Sequence, residues 1–203
     1  MKLYYLPGAC PLATHITLEW IGQPYEAEAV PREDLKKPAF LAMNPVGSVP
    51  VFTDGDFVLT KSFAILEYLA EKYPEAGLMP ADIRGRADTR RWLAFVNADL
   101  HKSFSLIFGK ARYSDDPAAQ EAIAAGGTVA ALRLFGIVDK QLEGREWVTG
   151  TRSIVDPYLF TVICWAHKLQ LDISGMKNLA AFHERMMADA GVRAALTAQG
   201  LMK

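Results

Sequence analysis

The chain has 203 residues, 51% hydrophobic and 22% charged, which excludes disorder as its dominant state. Lys and Arg total 22 against 23 Asp and Glu, a formal net charge of −1, so it lacks the basic surplus of a protein built to hold nucleic-acid phosphates. Cys10 and Cys164 are the only cysteines, with no close pair for a disulfide framework or a zinc site, so a reducing cytoplasm is the expected setting and no metal is expected.

Leu3-Tyr4-Tyr5 predicts a strand stopped by Pro7-Gly8. That turn, with Lys2 as the single positive charge, argues against a signal peptide in the apolar run up to Ala13. Leu12 to Ile21 predicts a helix with Ala13, Ile16, Thr17 and Trp20 on one face and Gly22 at its end. Tyr25 to Val30 alternates weakly, as a strand does. Val49 to Phe52 and Phe57 to Leu59 flank Thr53-Asp54-Gly55-Asp56, a hairpin signal. Ser62 to Tyr73 predicts a helix that stops before Pro74. A strand–helix–strand unit, a hairpin and a closing helix make an α/β, thioredoxin-like arrangement.

Pro74 to Arg86, with Gly77, Pro80 and Gly85, reads as a connection. It places a first domain at 1–76, a linker at 77–86 and a second domain at 87–203. The second domain shows helical faces only: Leu93, Val96, Leu100 and Phe104; Leu132, Phe135, Val138 and Leu142; Leu159, Val162, Ile163, Ala166 and Leu169; Leu179, Phe182 and Met186. Asp116-Pro117 predicts a cap with proline at the first helical position, and Ser153 to Asp156 a capping box. The expected architecture is therefore an α/β domain followed by an all-α one. The apolar run Tyr158 to Ala166 is about half the length that crosses a bilayer, so no membrane partner is expected.

Cys10 follows the Pro-Gly turn and precedes Pro11, which places it at a helix N-cap. There, free N–H groups and the helix dipole favour a thiolate. The second cysteine of a Cys-x-x-Cys pair is missing, so a mixed disulfide would need an outside thiol for release. The alternative is a small apolar residue at a strand–helix junction. Val49-Pro50 opens a strand; a cis proline here would leave the Val49 backbone free for an extended peptide, whereas a plain loop proline would do nothing. Ser62 starts a helix and suits a carboxylate, or only caps the helix. His101 and Lys102 lie within a long helix, where a histidine can hydrogen-bond or deprotonate a bound thiol, or be an ordinary half-buried ring. Cys164 reads as a buried small hydrophobe. Arg84, Arg86, Arg90 and Arg91 read as a solvated face or a subunit contact.

The joint order of Met1 to Tyr5, Pro7-Gly8-Ala9-Cys10, His15 to Leu18, Asn44-Pro45 to Val49-Pro50, Ala64-Ile65 to Tyr68-Leu69, Leu100-His101-Lys102, and Ser153-Ile154-Val155-Asp156 to Tyr158-Leu159-Phe160 is specific. In these segments the chain resembles a bacterial beta-class glutathione transferase over essentially its whole length. The resemblance implies a homodimer that uses glutathione as co-substrate, takes a small electrophile and needs no metal. It implies that Cys10 contacts the glutathione sulfur, that Val49 pairs with the cysteinyl backbone beside Ala9 and Pro50, and that Ser62 holds the γ-glutamyl carboxylate. His101 and Lys102 would approach the thiol and the glycyl end, and Lys36 or Lys37 the glycyl carboxylate. Phe104, Phe108, Tyr113 and Trp165 would face the electrophile.

Two positions depart from that family. Lys61 stands where an acid or Gln usually precedes the serine, and Ala94 stands where an Asn is frequent. Both lie at the γ-glutamyl end and imply weakened glutathione binding. The other readings are thiol–disulfide exchange through Cys10, and a non-catalytic member that binds a ligand or a protein.

Overall fold

The computed structural model describes residues 1–202. The first domain carries β1 (Lys2–Tyr5), α1 (Pro11–Ile21), β2 (Glu26–Ala29), α2 (Pro38–Met43), β3 (Val51–Asp54), β4 (Phe57–Thr60) and α3 (Ser62–Lys72). The strands form one sheet in the order β2-β1-β3-β4. Leu3 pairs in parallel with Ala27 and antiparallel with Phe52, and Phe52 pairs antiparallel with Leu59. One side of the sheet buries Leu3, Phe52, Leu18, Ile65 and Leu69 against α1 and α3. The other side buries Val51 and Val30 under Leu35 and Phe40. The expected thioredoxin-like order is present, and the weak strand signal of Tyr25 to Val30 becomes β2, fully exposed at the sheet edge.

Helix α1 is the hinge of the packing. Every residue from Pro11 to Leu18 is buried. Such a helix has no solvent face, because it is covered on all sides. Leu12, Ala13 and Ile16 enter the core of the second domain, while Leu18 stays with the sheet.

The second domain is α4 (Ile83–Ala94), a π-helical turn (Phe95–Leu100), α5 (His101–Phe108), α6 (Pro117–Gln141), α7 (Val155–Lys168), α8 (Lys177–Ala188) and α9 (Ala190–Ala198). No strand occurs after residue 60 among the described residues. Helix α4 starts inside the segment expected to be linker. Asp82 caps it, accepting from the N–H groups of Arg84 and Gly85 at 3.1 and 2.9 Å. Gly85, read as a breaker, instead makes room for the cap: a Cβ there would lie 2.7 Å from the Asp82 carboxylate and from Pro80. Helix α9 had no sequence expectation. Its cap is Asp189, whose Oδ1 accepts from Val192 N at 3.0 Å and from Trp20 Nε1 at 2.8 Å.

One half of the expected Ser153–Asp156 capping box is formed: the Asp156 carboxylate reaches back, while the Ser153 hydroxyl accepts from the Val155 N–H at 3.3 Å and not from that of Asp156. Asp156 accepts from the Ser153 N–H at 2.7 Å and from the Val148 N–H at 3.0 Å, which ties the preceding loop to the start of α7. Helix α6 is long and apolar enough to cross a bilayer by length and composition. Ala131, Leu134, Phe135 and Val138 turn its inner face into the helical core. Two of the four clustered arginines pair with α3, Arg86 to Glu71 at 2.6 Å and Arg90 to both Glu67 and Glu71, while Arg91 pairs with Asp88 of its own helix.

Candidate functional site

A cleft of about 400 Å³ opens between the two domains. The α/β domain lends it Cys10, Val49, Pro50, Lys61 and Ser62; the helical domain lends Asn97, His101, Lys102, Ser105 and Tyr158. Helical spacing explains the second set. Asn97, His101 and Ser105 recur every fourth residue and face the cleft, while Val96, Leu100 and Phe104 face the core. The π-helical turn lies directly before His101, a feature frequent near functional sites.

Cys10 occupies the N-cap of α1 with helical backbone angles, φ −55° and ψ −25°. Its thiol donates to the Val49 carbonyl at 3.7 Å. Burial pushes the thiol up to about 11, outweighing a Ser62 hydrogen bond, a backbone bond and the charge of Lys61. In the free protein this burial opposes the thiolate that the helix start favours. The Val49–Pro50 bond is cis, and the Val49 N–H has no hydrogen-bond partner among the described residues.

Ser62 is the first residue of α3 and only 4% exposed. Lys61 before it has φ +74°, a conformation uncommon outside glycine, and its exposed side chain borders the cleft. On the helical side, His101 Nδ1 lies 2.7 Å from the Tyr158 hydroxyl. That hydroxyl donates to Asn97 Oδ1 at 3.1 Å. Burial, aided by the neighbouring Lys102 charge, lowers His101 to about 4, so the ring is neutral at pH 7. Neither Tyr158 nor Asn97 was singled out as a site residue. Their signals were faint: Asn97 is one helical turn before His101, and Tyr158 follows the capping box.

A second cleft of about 430 Å³ adjoins the first and shares Cys10, Ser48, Val49 and His101 with it. Ala9, Phe108 and Trp165 line it, together with Arg32, Arg112 and Lys168. Trp165 is fixed by donating from Nε1 to the Gly8 carbonyl at 2.7 Å, and its ring meets His101 edge-on with centroids 4.8 Å apart. Phe104 does not reach this wall. It is fully buried behind it, packed on Phe108, Phe135 and Trp165. Tyr113 is 52% exposed and lines neither cleft. Lys36 also lines neither; its ammonium donates to the Val46 carbonyl at 3.2 Å, and Lys37 pairs with Asp34 at 2.6 Å. Cys164 is half-buried, not sealed in the core, and borders a separate apolar hollow with His167, His183 and Leu201.

A thioredoxin-like domain presenting a cysteine, a helix-start serine and an unpaired backbone N–H to one cleft, backed by a helical domain that adds a neutral histidine, defines a two-domain protein that handles thiols. Residues 9–77 match the glutathione S-transferase N-terminal domain and residues 96–190 the C-terminal domain. The chain is 43% identical to glutathione S-transferase GST-4.5 of Xanthomonas campestris pv. campestris, over 99% of this chain and 100% of that one. The solved glutathione S-transferase of Xylella fastidiosa superposes with a TM-score of 0.95 at 39% identity, covering 99% of both chains. A sphingomonad glutathione S-transferase solved with glutathione superposes at 0.87, with 32% identity over 99% of this chain and 100% of that one. The chain belongs to the glutathione S-transferase family.

Proposed function

We propose that the protein is a glutathione transferase that joins the sulfur of glutathione to small electrophiles, with the glutathione thiol as the nucleophile. The observation that carries this reading is the meeting of Cys10, Val49, Ser62 and His101 in one cleft of a transferase-family fold. The free Val49 N–H and its carbonyl suit the cysteinyl backbone of glutathione. The Ser62 hydroxyl and the first N–H groups of the eleven-residue α3 suit the γ-glutamyl carboxylate. Lys102 suits the glycyl carboxylate.

The polar network supports a proton acceptor for the thiol. With the one hydroxyl proton of Tyr158 given to Asn97, the tautomer that completes the network has the His101 Nδ1–H donating to the Tyr158 oxygen. A neutral ring protonated at Nδ1 keeps a free lone pair on Nε2. In the reaction that nitrogen takes the thiol proton as the sulfur attacks. The carbon–sulfur bond forms, and the electrophile either releases its leaving group or accepts a proton at the adjacent carbon. A ring lowered to about 4 is a weak base, so its help falls short of that given by a histidine tuned near the working pH.

The high affinity of the Cys10 sulfur for its proton favours this reading over disulfide exchange, which needs a thiolate at that residue. In the free protein, alkylation of Cys10 by iodoacetamide should be slow at pH 7 and rise about tenfold per pH unit toward pH 10, because only the thiolate reacts. Peptide mass mapping reads this rate. Conjugation of 1-chloro-2,4-dinitrobenzene by Cys10→Ala should stay within about tenfold of the parent, since the reacting sulfur belongs to the ligand. Complete loss of conjugation in that variant would make Cys10 the nucleophile and sink the assignment. A cytoplasmic homodimer belongs to the same proposal. Phe57 and Val58 on edge strand β4, 46% and 42% exposed, support a subunit contact, which sedimentation of the purified protein tests.

A further inference from the structure

The second cleft, whose Phe108 and Trp165 suit the acceptor, carries more positive charge than the transferase reading requires, because the one cation that the glycyl carboxylate needs is already supplied by Lys102 in the first cleft. Three cations from separate parts of the chain converge on the second cleft: Arg32 in the turn after β2, Arg112 in the turn after α5, and Lys168 at the end of α7. None of the three forms an ion pair among the described residues. No Asp or Glu lines the cleft. The molecule as a whole has a formal charge of −1, so this is a local surplus and not a reflection of a basic protein. Elsewhere Arg84, Arg133 and Arg193 also form no ion pair among the described residues, so it is the convergence of three cations on one cleft without a carboxylate that marks this place. Between the cations stand two aromatic groups, the buried Trp165 and the 54% exposed Phe108.

We infer that the acceptor substrate of this protein is an aromatic or apolar electrophile that carries a carboxylate, its apolar body on Phe108 and Trp165 and its anion among Arg32, Arg112 and Lys168. The inference rests on the transferase reading for the reaction, and on the cleft alone for the charge. A flat apolar wall accepts many electrophiles about equally, because apolar burial is not directional. The cations discriminate: they attract an acid, steer its approach and repel a cationic competitor. A single exposed pair is worth about 1.4- to fivefold in affinity, so three acting on one carboxylate give about threefold to a hundredfold. Guanidinium groups add geometry, since each can engage both carboxylate oxygens.

A matched pair of probes tests this. In 4-chloro-3,5-dinitrobenzoate and its methyl ester, glutathione sulfur replaces chloride: the carbon–sulfur bond forms, chloride leaves and the thiol proton is released. For each probe kcat/KM is divided by its uncatalysed rate with glutathione, which removes intrinsic reactivity. The acid should be favoured about threefold to a hundredfold by this measure. The preference should collapse toward unity in an Arg112→Gln, Lys168→Gln double variant, and should shrink as salt is raised. Binding of unreactive 3,5-dinitrobenzoate and its methyl ester, followed by calorimetry without glutathione, reads the cleft independently of turnover. A normalised ratio at or below one, or a preference that survives the double substitution, overturns the inference and leaves the transferase reading standing. If neither probe is conjugated, the transferase reading fails instead. Calorimetric preference for the benzoate, lost in the double variant, then still supports the anion site, and equal or absent binding overturns it. Thermal melts of the variant confirm that it is folded.

Discussion

Lys61 borders the end of the cleft where the γ-glutamyl group is proposed to lie, and it carries the same charge as the ammonium of that group. Two such charges about 4 Å apart repel by about 1–4 kcal/mol, depending on how much water lies between them. Lys61→Glu converts repulsion into attraction and should tighten glutathione binding at least tenfold, read by calorimetric titration. Unchanged affinity would show that the Lys61 ammonium turns away from the ligand. The residues that local sequence could point to are those whose local context fixes their place. Cys10 lies between a Pro-Gly turn and Pro11, and Ser62 opens a helix. Arg32, Arg112 and Lys168 had no such context, because their convergence exists only once three distant segments are packed together. Phe104 and Phe108 were indistinguishable as letters. They are one helical turn apart, and the depth of the α5 packing decides that one is core and the other a wall.

At the scale of elements, α5 must hold His101 against the cleft, and α6 is what backs it. The two helices approach closely at Gly127, where a Cβ would lie 2.8 Å from the Ser103 carbonyl oxygen. Gly127→Ala therefore forces the helices apart. Overpacking of this kind costs about 1–3 kcal/mol, against about 1 kcal/mol returned by better helix propensity. The melting temperature should fall by about 2–4 °C per net kcal/mol for a chain of this size, as read by calorimetry. Gly126 is the control: nothing lies within 4 Å of a Cβ there, and Gly126→Ala should raise the melting temperature. Strands and capped helices were legible because turn chemistry and side-chain periodicity are local. The start of α4 was not, because Gly85 looks like a breaker until its contact with Pro80 and Asp82 is known. The π-helical turn left no trace in the periodicity, since Leu93, Val96, Leu100 and Phe104 read as an ordinary helical face.

At the scale of the whole molecule, the shared core around α1 makes unfolding a common event for both domains, and buried histidines give that event a pH dependence. His183, stacked on Phe160, is lowered to about 4 by burial and by neighbouring His167. The unfolded chain protonates the same ring near 6.5, so between these values it binds more protons than the fold does. The contribution of this ring is therefore full above pH 6.5 and falls as the pH drops toward 4, alongside that of His101, lowered to about 4, and against that of Asp156, raised to about 7. For this partly open ring the loss between pH 7 and 5 should be about 1–2 kcal/mol. Urea unfolding of the parent and of His183→Gln at both pH values isolates it, as the difference between their pH dependences. An unchanged difference would assign the pH dependence to other groups. The last helix closes the molecule over its first turn. Gln199 accepts from the Gly8 N–H at 3.0 Å and lies 3.0 Å from His15 Nδ1, across sequence separations of 191 and 184 residues. On a ribosome adding about 5–20 residues per second, the Cys10 loop is therefore made roughly 10–40 s before the residue that clasps it. The sheet and its helices can form early, but the cysteine loop remains unclasped until the far end of the chain arrives, so its docking is set by the order of synthesis.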